Sequence, residues 1–370
     1  MKLTKKQKKS LCILLILLVL FLLYRFVLTP KTQPADSDIS SVISSSVQSS
    51  LAESEGSATG GDLQVHFFDV DQADSILFIT PDGYTMLIDA GDSGTKYDLL
   101  DKLQTLDIST IDVLIATHPH SDHIGGMQVV VENFEIKNFY LPNAEHTSKT
   151  YLKLLDAVTE RESIAVHQAK DGITFDLGQY VSCEMLGPVK DYEDLNDSSA
   201  VVRVTYGDIS FMMTGDAEIP AETDMLMAND AADFKSTVLK MGHHGSDTSS
   251  GNPFLDAVDP QYAIISCGID NDYGHPNALT LEHLAERKIP TYRTDMLGDI
   301  VATTDGKQIT FNKPGQIPDV ETEILKYVYV TDNGKTYHRE NCSSLSKSKN
   351  CITMEQAKEN NFTPCKRCFD

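Results

Sequence analysis

Short apolar runs alternate with amphipathic segments from Leu63 onward, and this pattern predicts a layered α/β fold. The first half contains a helix-like segment, TKYDLLDKLQTL, among four strand-like runs: LQVHFFDV, DSILFIT, YTMLIDA and IDVLIAT. The second half shows the same alternation, with a helix-like segment around LTLEHLAERK and four more strand-like runs: VVRVTYG, ISFMMTG, STVLKMG and QYAIISCG. Two strand-rich halves of this kind suit two sheets covered by helices.

The last strand-like run of this pattern is KQITFN, so we expect the folded domain to cover residues 62–315. A short acidic linker, residues 316–325, leads to a separate C-terminal module, residues 326–370. This module holds four of the seven cysteines of the chain.

The N-terminus predicts a membrane anchor. Residues 1–10 form a lysine-rich basic tail, and residues 11–28 are apolar with Arg25 as the single charge. Such a run can span about 30 Å of hydrocarbon, and Arg25 can reach the far interface. No small-x-small cleavage site follows promptly, which favours an uncleaved anchor over a signal peptide. We therefore expect a single-pass protein of the cell membrane, with a cytoplasmic N-terminus and an extracellular folded domain.

Residues 29–61 are Ser-rich, have few large apolar residues and read as a disordered tether between the anchor and the domain.

Composition narrows the class of protein. The chain has 370 residues, of which 41% are hydrophobic and 23% charged, which excludes a wholly disordered chain and a polytopic membrane protein. The formal net charge is −23, from 31 basic and 54 acidic residues. This balance disfavours tight clamping of nucleic acid through a basic surface. The acidic composition is compatible with nucleic-acid binding through a metal ion that supplies positive charge locally.

The segment THPHSDHIGG, residues 117–126, carries the strongest chemical signal. It connects the buried strand IDVLIA to an apolar helical stretch. The connecting loop carries four candidate metal ligands: His118, His120, Asp122 and His123. Imidazole nitrogens beside a carboxylate suit zinc or a similar divalent ion, and four ligands within six residues favour two adjacent metals. The alternative is a surface loop that is His-rich without function.

The H-x-H-x-D-H motif after a strand resembles the signature of the metallo-β-lactamase superfamily. Six further segments resemble the extracellular metallo-β-lactamase-like domain of ComEC-type competence proteins, in the expected order over residues 62–312: FFDVDQADS, LIDAG, NDSSAVVRVTYG, TGDAE, KMGHHGSDTSS and YGHPN. The resemblance implies a four-layer αββα sandwich with the metals at one edge of the two sheets.

Carried over residue by residue, the resemblance implies two divalent ions, with zinc preferred and manganese as the other candidate. His118 and His120 would bind the first ion. Asp122 and His123 would bind the second ion. Asp216 of TGDAE would bridge the two ions.

The last ligand of the second ion comes from the adjacent pair His243 and His244. We prefer His243, because the motif His-His-Gly-Ser aligns best with superfamily sequences whose ligand opens it. His244 would then face the substrate, support a ligand or donate to a carbonyl. Asp216 also has an alternative role, because an Asp before the helix-like AEIPAETDML could cap that helix.

Two departures from the family pattern stand out. The superfamily usually supplies a third histidine to the first ion, whereas this sequence has Asn196 and Asp197 there. One of these side chains or a water molecule would complete the coordination of the first ion, or the site would hold a single ion. In FFDVDQADS, Asp71 and Ala73 replace two glycines of the family. Asp tolerates a left-handed backbone better than Ala does, so we expect a reshaped turn at Ala73.

Other side chains are expected near the site. Asp69, Asp74 and Asp89 are assigned structural roles, with Asp89 orienting the metal loop and Asp74 alternatively facing the site. His275 of YGHPN matches a family position near the open face, where an imidazole could bind a phosphate oxygen or protonate a leaving group. Its alternative is a buried core histidine. We therefore predict Asp122 and His275 as the catalytic residues.

The C-terminal module contains one His and three Cys that match a tetrahedral zinc site: His338, Cys342, Cys365 and Cys368. The spacing resembles the metal-binding domain of Ada-type repair proteins, which implies one structural zinc and leaves Cys351 over. The alternative is two disulfides among the four cysteines. With eight basic and five acidic residues, this module is where we expect contact with DNA.

The sequence contains no rival nucleophile motif, neither a G-x-S-x-G elbow nor a phosphate-binding glycine loop. It therefore predicts a membrane-anchored, extracellular metal-dependent hydrolase, a phosphodiesterase or nuclease for DNA or another phosphodiester, with a link to DNA uptake or processing. The alternatives are a β-lactam or lactone hydrolase and a non-catalytic surface-binding protein with a vestigial metal site. The sequence indicates no protein partner.

Overall fold

The computed structural model describes residues 60–320, 327–339 and 342–369. The predicted basic tail and anchor, residues 1–28, and nearly all of the Ser-rich tether lie outside these ranges. Within them, no helix is both long and apolar enough to cross a membrane.

Two sheets form the main domain. Six strands of the first sheet come first in the chain: β1 (Leu63–Phe67), β2 (Ile76–Ile79), β3 (Thr85–Ile88), β4 (Thr110–Ile115), β5 (Glu135–Leu141) and β6 (Ala165–Gln168). The second sheet follows: β7 (Thr174–Leu177), β8 (Val181–Gly187), β9 (Val201–Tyr206), β10 (Ile209–Met213), β11 (Val238–Lys240), β12 (Tyr262–Ile265) and β13 (Thr291–Arg293). The chain then returns to the first sheet with β14 (Ile300–Thr304) and β15 (Ile309–Phe311). The strand orders are 15-14-1-2-3-4-5-6 and 13-12-11-10-9-8-7.

Helices connect these strands. Those of the first half are α1 (Lys96–Thr105), α2 (Ser121–Ile124), α3 (Met127–Asn133) and α4 (Lys149–Thr159). Those of the second half are α5 (Ile219–Ala228), α6 (Ala231–Phe234), α7 (Asn252–Val258), α8 (Ala278–Glu286) and α9 (Thr294–Leu297). Each apolar run singled out in the sequence contains one of the strands, and the two helix-like segments contain α1 and α8.

The main core lies between the two sheets, because side chains alternate between the faces of each strand. Ile76 and Phe78 of β2 face this core, whereas Leu77 lies in a second core with residues of α1, α3 and α4. Phe78 meets Phe211 of the second sheet edge to face, with ring centroids 5.7 Å apart. Met212, next along β10, lies in a third core with residues of α5 and α7. The predicted mixed α/β sandwich is therefore confirmed.

The direction of the strands decides where a site can form. In the first sheet β3, β4 and β5 are parallel, and in the second β10, β11 and β12 are parallel. The loops at their carboxyl ends therefore emerge together, and in α/β folds this is where ligands bind. The metal-binding residues predicted from the motifs follow three of these strands: β4, β10 and β11.

The C-terminal residues form a third sheet with the order 18-16-17-19. Its elements are β16 (Tyr327–Val330), β17 (Thr336–His338), β18 (Asn350–Thr353), α10 (Met354–Glu359) and β19 (Thr363–Pro364). Gln316, the predicted first residue of the linker, still exchanges backbone hydrogen bonds of 2.8 and 3.0 Å with Thr291 at the edge of the second sheet. The boundaries assigned to the linker and the module remain predictions.

Candidate metal centre

The loop after β4 places its histidines at the site. His118 and His123 are fully buried, and His120 stands immediately before α2 at its N-terminus. His118 Nε2 lies 2.9 Å from His120 Nδ1, so these two ring nitrogens face each other. The pair expected to bind the first ion is thus brought together.

A second group gathers carboxylates and imidazoles from three loops. The ligand atoms of Asp122, His123, Asp216 and His244 all lie within 4.8 Å of one another. His123 Nε2 is 3.2 Å from Asp216 Oδ2, and His244 Nε2 is 3.3 Å from Asp122 Oδ2. The distance from His244 Nε2 to Asp216 Oδ2 is 3.6 Å.

Asp89 fixes the orientation of His123. The carboxylate of Asp89 accepts hydrogen bonds from Thr117 N at 2.8 Å, from Thr117 Oγ1 at 2.7 Å and from His123 Nδ1 at 2.8 Å. With its Nδ1 proton donated to a carboxylate, His123 presents Nε2 to the cluster. Asp89 thus contacts the metal loop, as its expected structural role requires.

The structure brings His244, rather than the preferred His243, into the cluster of candidate ligands. Both residues have left-handed backbones, with φ of 47° and 54°. His244 is buried, donates from Nδ1 to Ser266 O at 2.9 Å and directs Nε2 into the cluster. His243 faces the cavity instead, where its Nδ1 lies 3.0 Å from Glu218 Oε1 and its Nε2 lies 3.8 Å from Asp216 Oδ2. The two successive left-handed residues turn the second ring inward and leave the first at the rim.

The structural aspartates differ in their distance from the cluster. Asp74 forms a buried ion pair with Lys240, Oδ2 to Nζ 2.8 Å, and its Oδ1 lies 3.6 Å from His244 Nδ1. Asp74 therefore lies next to the ring nitrogen of His244 that points away from the cluster. Asp69 belongs neither to the ligand cluster nor to the cavity lining, and its backbone N–H donates to Asp299 Oδ1 at 2.8 Å.

The residues at the position of the absent third histidine have other partners. Asp197 Oδ1 accepts hydrogen bonds of 3.3 Å from the backbone N–H groups of Glu218 and Ala221, at the start of α5. It, rather than Asp216, takes the helix-capping role, so one oxygen of Asp197 is already engaged at the start of α5. Asn196 Nδ2 donates to Glu218 Oε1 at 3.2 Å.

The turn expected to be reshaped keeps a compact form. Asp71, at the first replaced glycine, adopts a left-handed φ of 66°. Ala73, at the second, is fully buried, is not left-handed and donates its N–H to Asp71 O at 2.8 Å. The strained conformation therefore falls on the residue type that tolerates it better.

The ligands open into a cavity of about 360 Å³. Its lining is polar: Gln72, His120, Ser121, Asp122, His146, Ser148, Asn196, Asp216, His243, His244, Tyr273 and His275. His275 lies at the rim, with its ring centroid 5.4 Å from that of His243 and its Nδ1 3.4 Å from Gln72 Nε2. Burial, followed by the charges of His244 and His243, lowers the pKa of His275 to about 3, which favours a neutral, hydrogen-bonding ring over a proton donor.

Sequence reasoning missed three residues around this cavity. His146 lies in the loop after β5, Glu218 holds His243, and Lys240 pairs with Asp74. His146 could have been found from its place beyond a strand parallel to β4. The contacts of Glu218 and Lys240 join loops far apart in sequence and gave no local signal.

The electrostatics of the cluster fit a divalent cation. Burial disfavours charge on His123, yet the carboxylates of Asp216, Asp89 and Asp122 raise its pKa well above the usual value. Burial likewise disfavours charge on Asp216, but His123 and His244 hold its pKa well below its usual range. His123 Nε2 lies 3.2 Å from Asp216 Oδ2 but, like Asp216 Oδ1, is buried and makes no well-formed hydrogen bond among the described residues. Buried polar atoms of this kind need a partner, and a bound cation would provide one.

The C-terminal module brings its predicted ligands together. Nitrogen and sulfur atoms of four residues lie within 4.8 Å of one another: His338, Cys342, Cys365 and Cys368. Thr336 Oγ1 is 2.9 Å from His338 Nε2, which leaves His338 Nδ1 facing Cys342 Sγ at 3.3 Å. Hydrogen bonds from Ser344 lower the pKa of Cys342 to about 6, which favours the thiolate.

The same geometry disfavours the disulfide alternative. Cys342 Sγ and Cys365 Sγ are 4.0 Å apart, about twice the length of a disulfide bond. Cys342, Cys365 and Cys368 are all free thiols. Cys351 lies outside the ligand cluster, on β18.

Comparison with known proteins agrees with the fold. The model of the Metallo-beta-lactamase superfamily matches residues 69–269. ComE operon protein 3 of Bacillus subtilis (strain 168) is 34% identical over 194 residues, which are 52% of this chain and 24% of the relative. Competence protein ComA of Neisseria gonorrhoeae is 31% identical over 242 residues, 63% of this chain and 31% of the relative. The predicted resemblance to competence proteins is confirmed.

A shorter match concerns exodeoxyribonuclease YycJ of Bacillus anthracis. It is 34% identical over 62 residues, 17% of this chain and 24% of the relative. All three matches cover only about a quarter to a third of the relatives' own length.

Proposed function

Since the chain belongs to the metallo-beta-lactamase superfamily, we propose that it is a divalent-metal-dependent hydrolase that cleaves phosphodiester bonds in nucleic acid. The names of its relatives, two competence proteins and an exodeoxyribonuclease, support this substrate class. We propose zinc as the metal, with manganese as the second candidate, because imidazole and carboxylate ligands suit both.

One observation carries the proposal. The buried cluster of Asp122, His123, Asp216 and His244 lies at the base of a polar cavity, beside the facing rings of His118 and His120. Divalent ions held by these residues would supply a nucleophilic water and neutralise charge on a phosphate oxygen.

The side chains of this chain have separate tasks in that reaction. Asp89 and Ser266 hold the tautomers of His123 and His244 by accepting their Nδ1 protons. His275 is placed to donate a single hydrogen bond to a substrate oxygen at the rim of the cavity. Asp122 serves as a ligand and, with its carboxylate toward the cavity, as the acceptor for a proton from water.

The C-terminal module lies against the loop that forms one rim of the cavity, which supports a role in substrate binding. A Cβ placed on Gly274 would lie 3.7 Å from Cys351 Sγ and 3.8 Å from Tyr329 Oη. Gly274 stands between Tyr273 and His275, which both line the cavity. We propose that the module, less acidic than the rest, contacts DNA and is held by one structural zinc on His338 and three cysteines.

We propose further that residues 11–28 anchor the chain in the cell membrane with the catalytic domain outside. The apolar run and the lysines that precede it support this topology.

A substrate panel tests the function. The full-length chain, purified in detergent, is stripped of metal and reloaded with Zn²⁺ or Mn²⁺. It is then offered single- and double-stranded DNA, RNA, bis(p-nitrophenyl) phosphate and a chromogenic β-lactam. We expect metal-dependent cleavage of DNA and of the chromogenic phosphodiester. Turnover of the β-lactam alone would establish the rival hydrolase, and metal binding without any turnover would favour a surface-binding protein.

A further inference from the structure

The site of the first ion has two histidines in the motif loop, and the bridging Asp216 would be its third protein ligand. His118 and His120 come from the loop after β4. Zinc in proteins is usually four-coordinate, so one position of this ion remains for another side chain or water. Asp197 is disfavoured for that position, because one of its carboxylate oxygens already caps α5 and its side chain is not among those that line the cavity.

A third imidazole lies beside this pair, on a different loop. His146 follows β5, the parallel neighbour of β4, so its loop emerges at the same edge of the sheet. The ring centroids of His120 and His146 are 6.3 Å apart with the planes nearly perpendicular, at 84°. Both rings line the same cavity.

His146 also has an unmet bonding requirement. Its Nδ1 is buried and finds no hydrogen-bond partner within the described part of the chain. The other histidines of the site have their Nδ1 engaged, His123 by Asp89 and His244 by Ser266. Buried polar atoms normally have a bonding partner. A cation bound by His118, His120 and His146 would be that partner for Nδ1 of His146.

Asn196 is the competing candidate. Its Oδ1 is likewise buried without a partner in the described ranges, and the side chain lines the cavity. A neutral amide oxygen, however, is a weaker ligand for zinc than an imidazole nitrogen. Its amide group is also already tied to Glu218 through Nδ2.

We infer that His146 is the third imidazole ligand of the first ion, supplied from the loop after β5 in place of the histidine that this chain lacks at Asn196. The inference rests on the proposed metal centre and adds a ligand to it.

Cobalt titration of the full-length chain tests the ligand without relying on turnover. Absorption from thiolate-to-cobalt charge transfer reports the cysteine site, and the visible d–d bands report the nitrogen and oxygen sites. In H146A and H146Q we expect one hydrolase-site ion to bind at least tenfold more weakly. The second ion and the cysteine site should bind as in the wild type. The matched control is H283A, because His283 lies on α8 and its ring contacts Asn252 outside the cavity.

The outcomes separate the ligand from the function. Unchanged cobalt affinity of both ions in H146A and H146Q, with metal-free unfolding curves like the wild type, would overturn the assignment, and so would loss of the first ion in N196A alone. A wild-type chain that binds cobalt only at the cysteines would overturn both this inference and the proposed function. Weaker binding in H146A together with inactive wild-type protein would support the ligand and count against the hydrolase.

Discussion

His123 Nδ1 lies 2.8 Å from Asp89 Oδ2, and both side chains are completely buried. Asp89 follows β3 and His123 follows β4, so the contact joins two neighbouring strand ends. Because Thr117 donates twice to the same carboxylate, every hydrogen-bonding need of Asp89 is met inside the protein.

Replacing this carboxylate should weaken the metal centre. Asp89→Asn puts an amide NH₂ where the carboxylate accepts three hydrogen bonds, so His123 loses its fixed orientation. We expect metal affinity to fall about 10- to 100-fold and the free energy of unfolding to fall by about 2–4 kcal/mol. Chelator competition and urea unfolding measure the two effects. Asp259→Asn, at an exposed carboxylate paired with Lys235, is the control, and equal behaviour of both variants would contradict the role of Asp89.

Removing the predicted bridge should have a different signature. Asp216→Ala deletes a carboxylate that approaches His123, His243 and His244. We expect binding of both ions to weaken and hydrolysis to be abolished, while the metal-free fold is retained. Metal analysis, turnover and circular dichroism test this, with Asp256→Ala on α7 as the matched surface control. Unchanged metal content and turnover would remove Asp216 from the site. Asn196→Ala should be much milder.

Glu222 should make stability depend on pH. Burial raises the pKa of Glu222 from its ordinary value of 4.5 to about 8, so the folded protein keeps a proton that the unfolded chain releases. The stability associated with that proton is complete below about pH 4.5 and is lost as the pH rises through 8. Glu222→Gln should therefore flatten the pH dependence of unfolding between these values. It also costs a hydrogen bond from Ser250 or Gly251.

The comparison for Glu222 is the exposed Glu286→Gln, which should keep the wild-type slope. Urea unfolding of the two variants at several pH values gives the difference. Parallel curves across this window would show that Glu222 is ionised in the folded protein.

The C-terminal module should respond to chelation rather than to reduction. Ligation by His338 and three cysteines would supply folding free energy on the order of 10 kcal/mol, so strong chelation should unfold the module. Cys368→Ser should have a similar effect. Cys351→Ser should be nearly silent, because Cys351 lies outside the cluster. Thiol labelling and zinc analysis report both effects. A reducible linkage between Cys351 and one of the other three cysteines, found by mass mapping under non-reducing conditions, would favour the disulfide alternative.

Deleting the module after Asn312 should leave cleavage of small phosphodiesters intact, because the candidate ligands of the hydrolase site lie upstream. If cleavage of long DNA falls while that of bis(p-nitrophenyl) phosphate does not, the module captures substrate. Equal retention of both activities would contradict that role.

The membrane topology is tested on intact cells. External protease should remove the folded domain, and protein recovered from membranes should retain the lysines of residues 1–10. A mature N-terminus near residue 30, or a domain that resists external protease, would contradict the anchored topology.

The sequence alone determined the layered fold and the presence of a metal-binding loop, because both depend on local patterns. Strand alternation and helical periodicity act within about ten residues, and His118 through His123 share a single loop. The candidate zinc ligands of the C-terminal module could likewise be identified from their residue types and spacing.

The tertiary structure decided which distant groups meet. His244 rather than His243 joins the cluster because two left-handed residues turn the chain there, and side-chain type says nothing about that turn. His146 reaches the cavity because β5 is parallel to β4. The pairs Asp89–His123 and Asp74–Lys240 join segments that are 34 and 166 residues apart in sequence. Pairing of β3 with β4 fixes the first contact, and packing of the two sheets fixes the second, because burial of the apolar faces brings the polar partners together as a consequence.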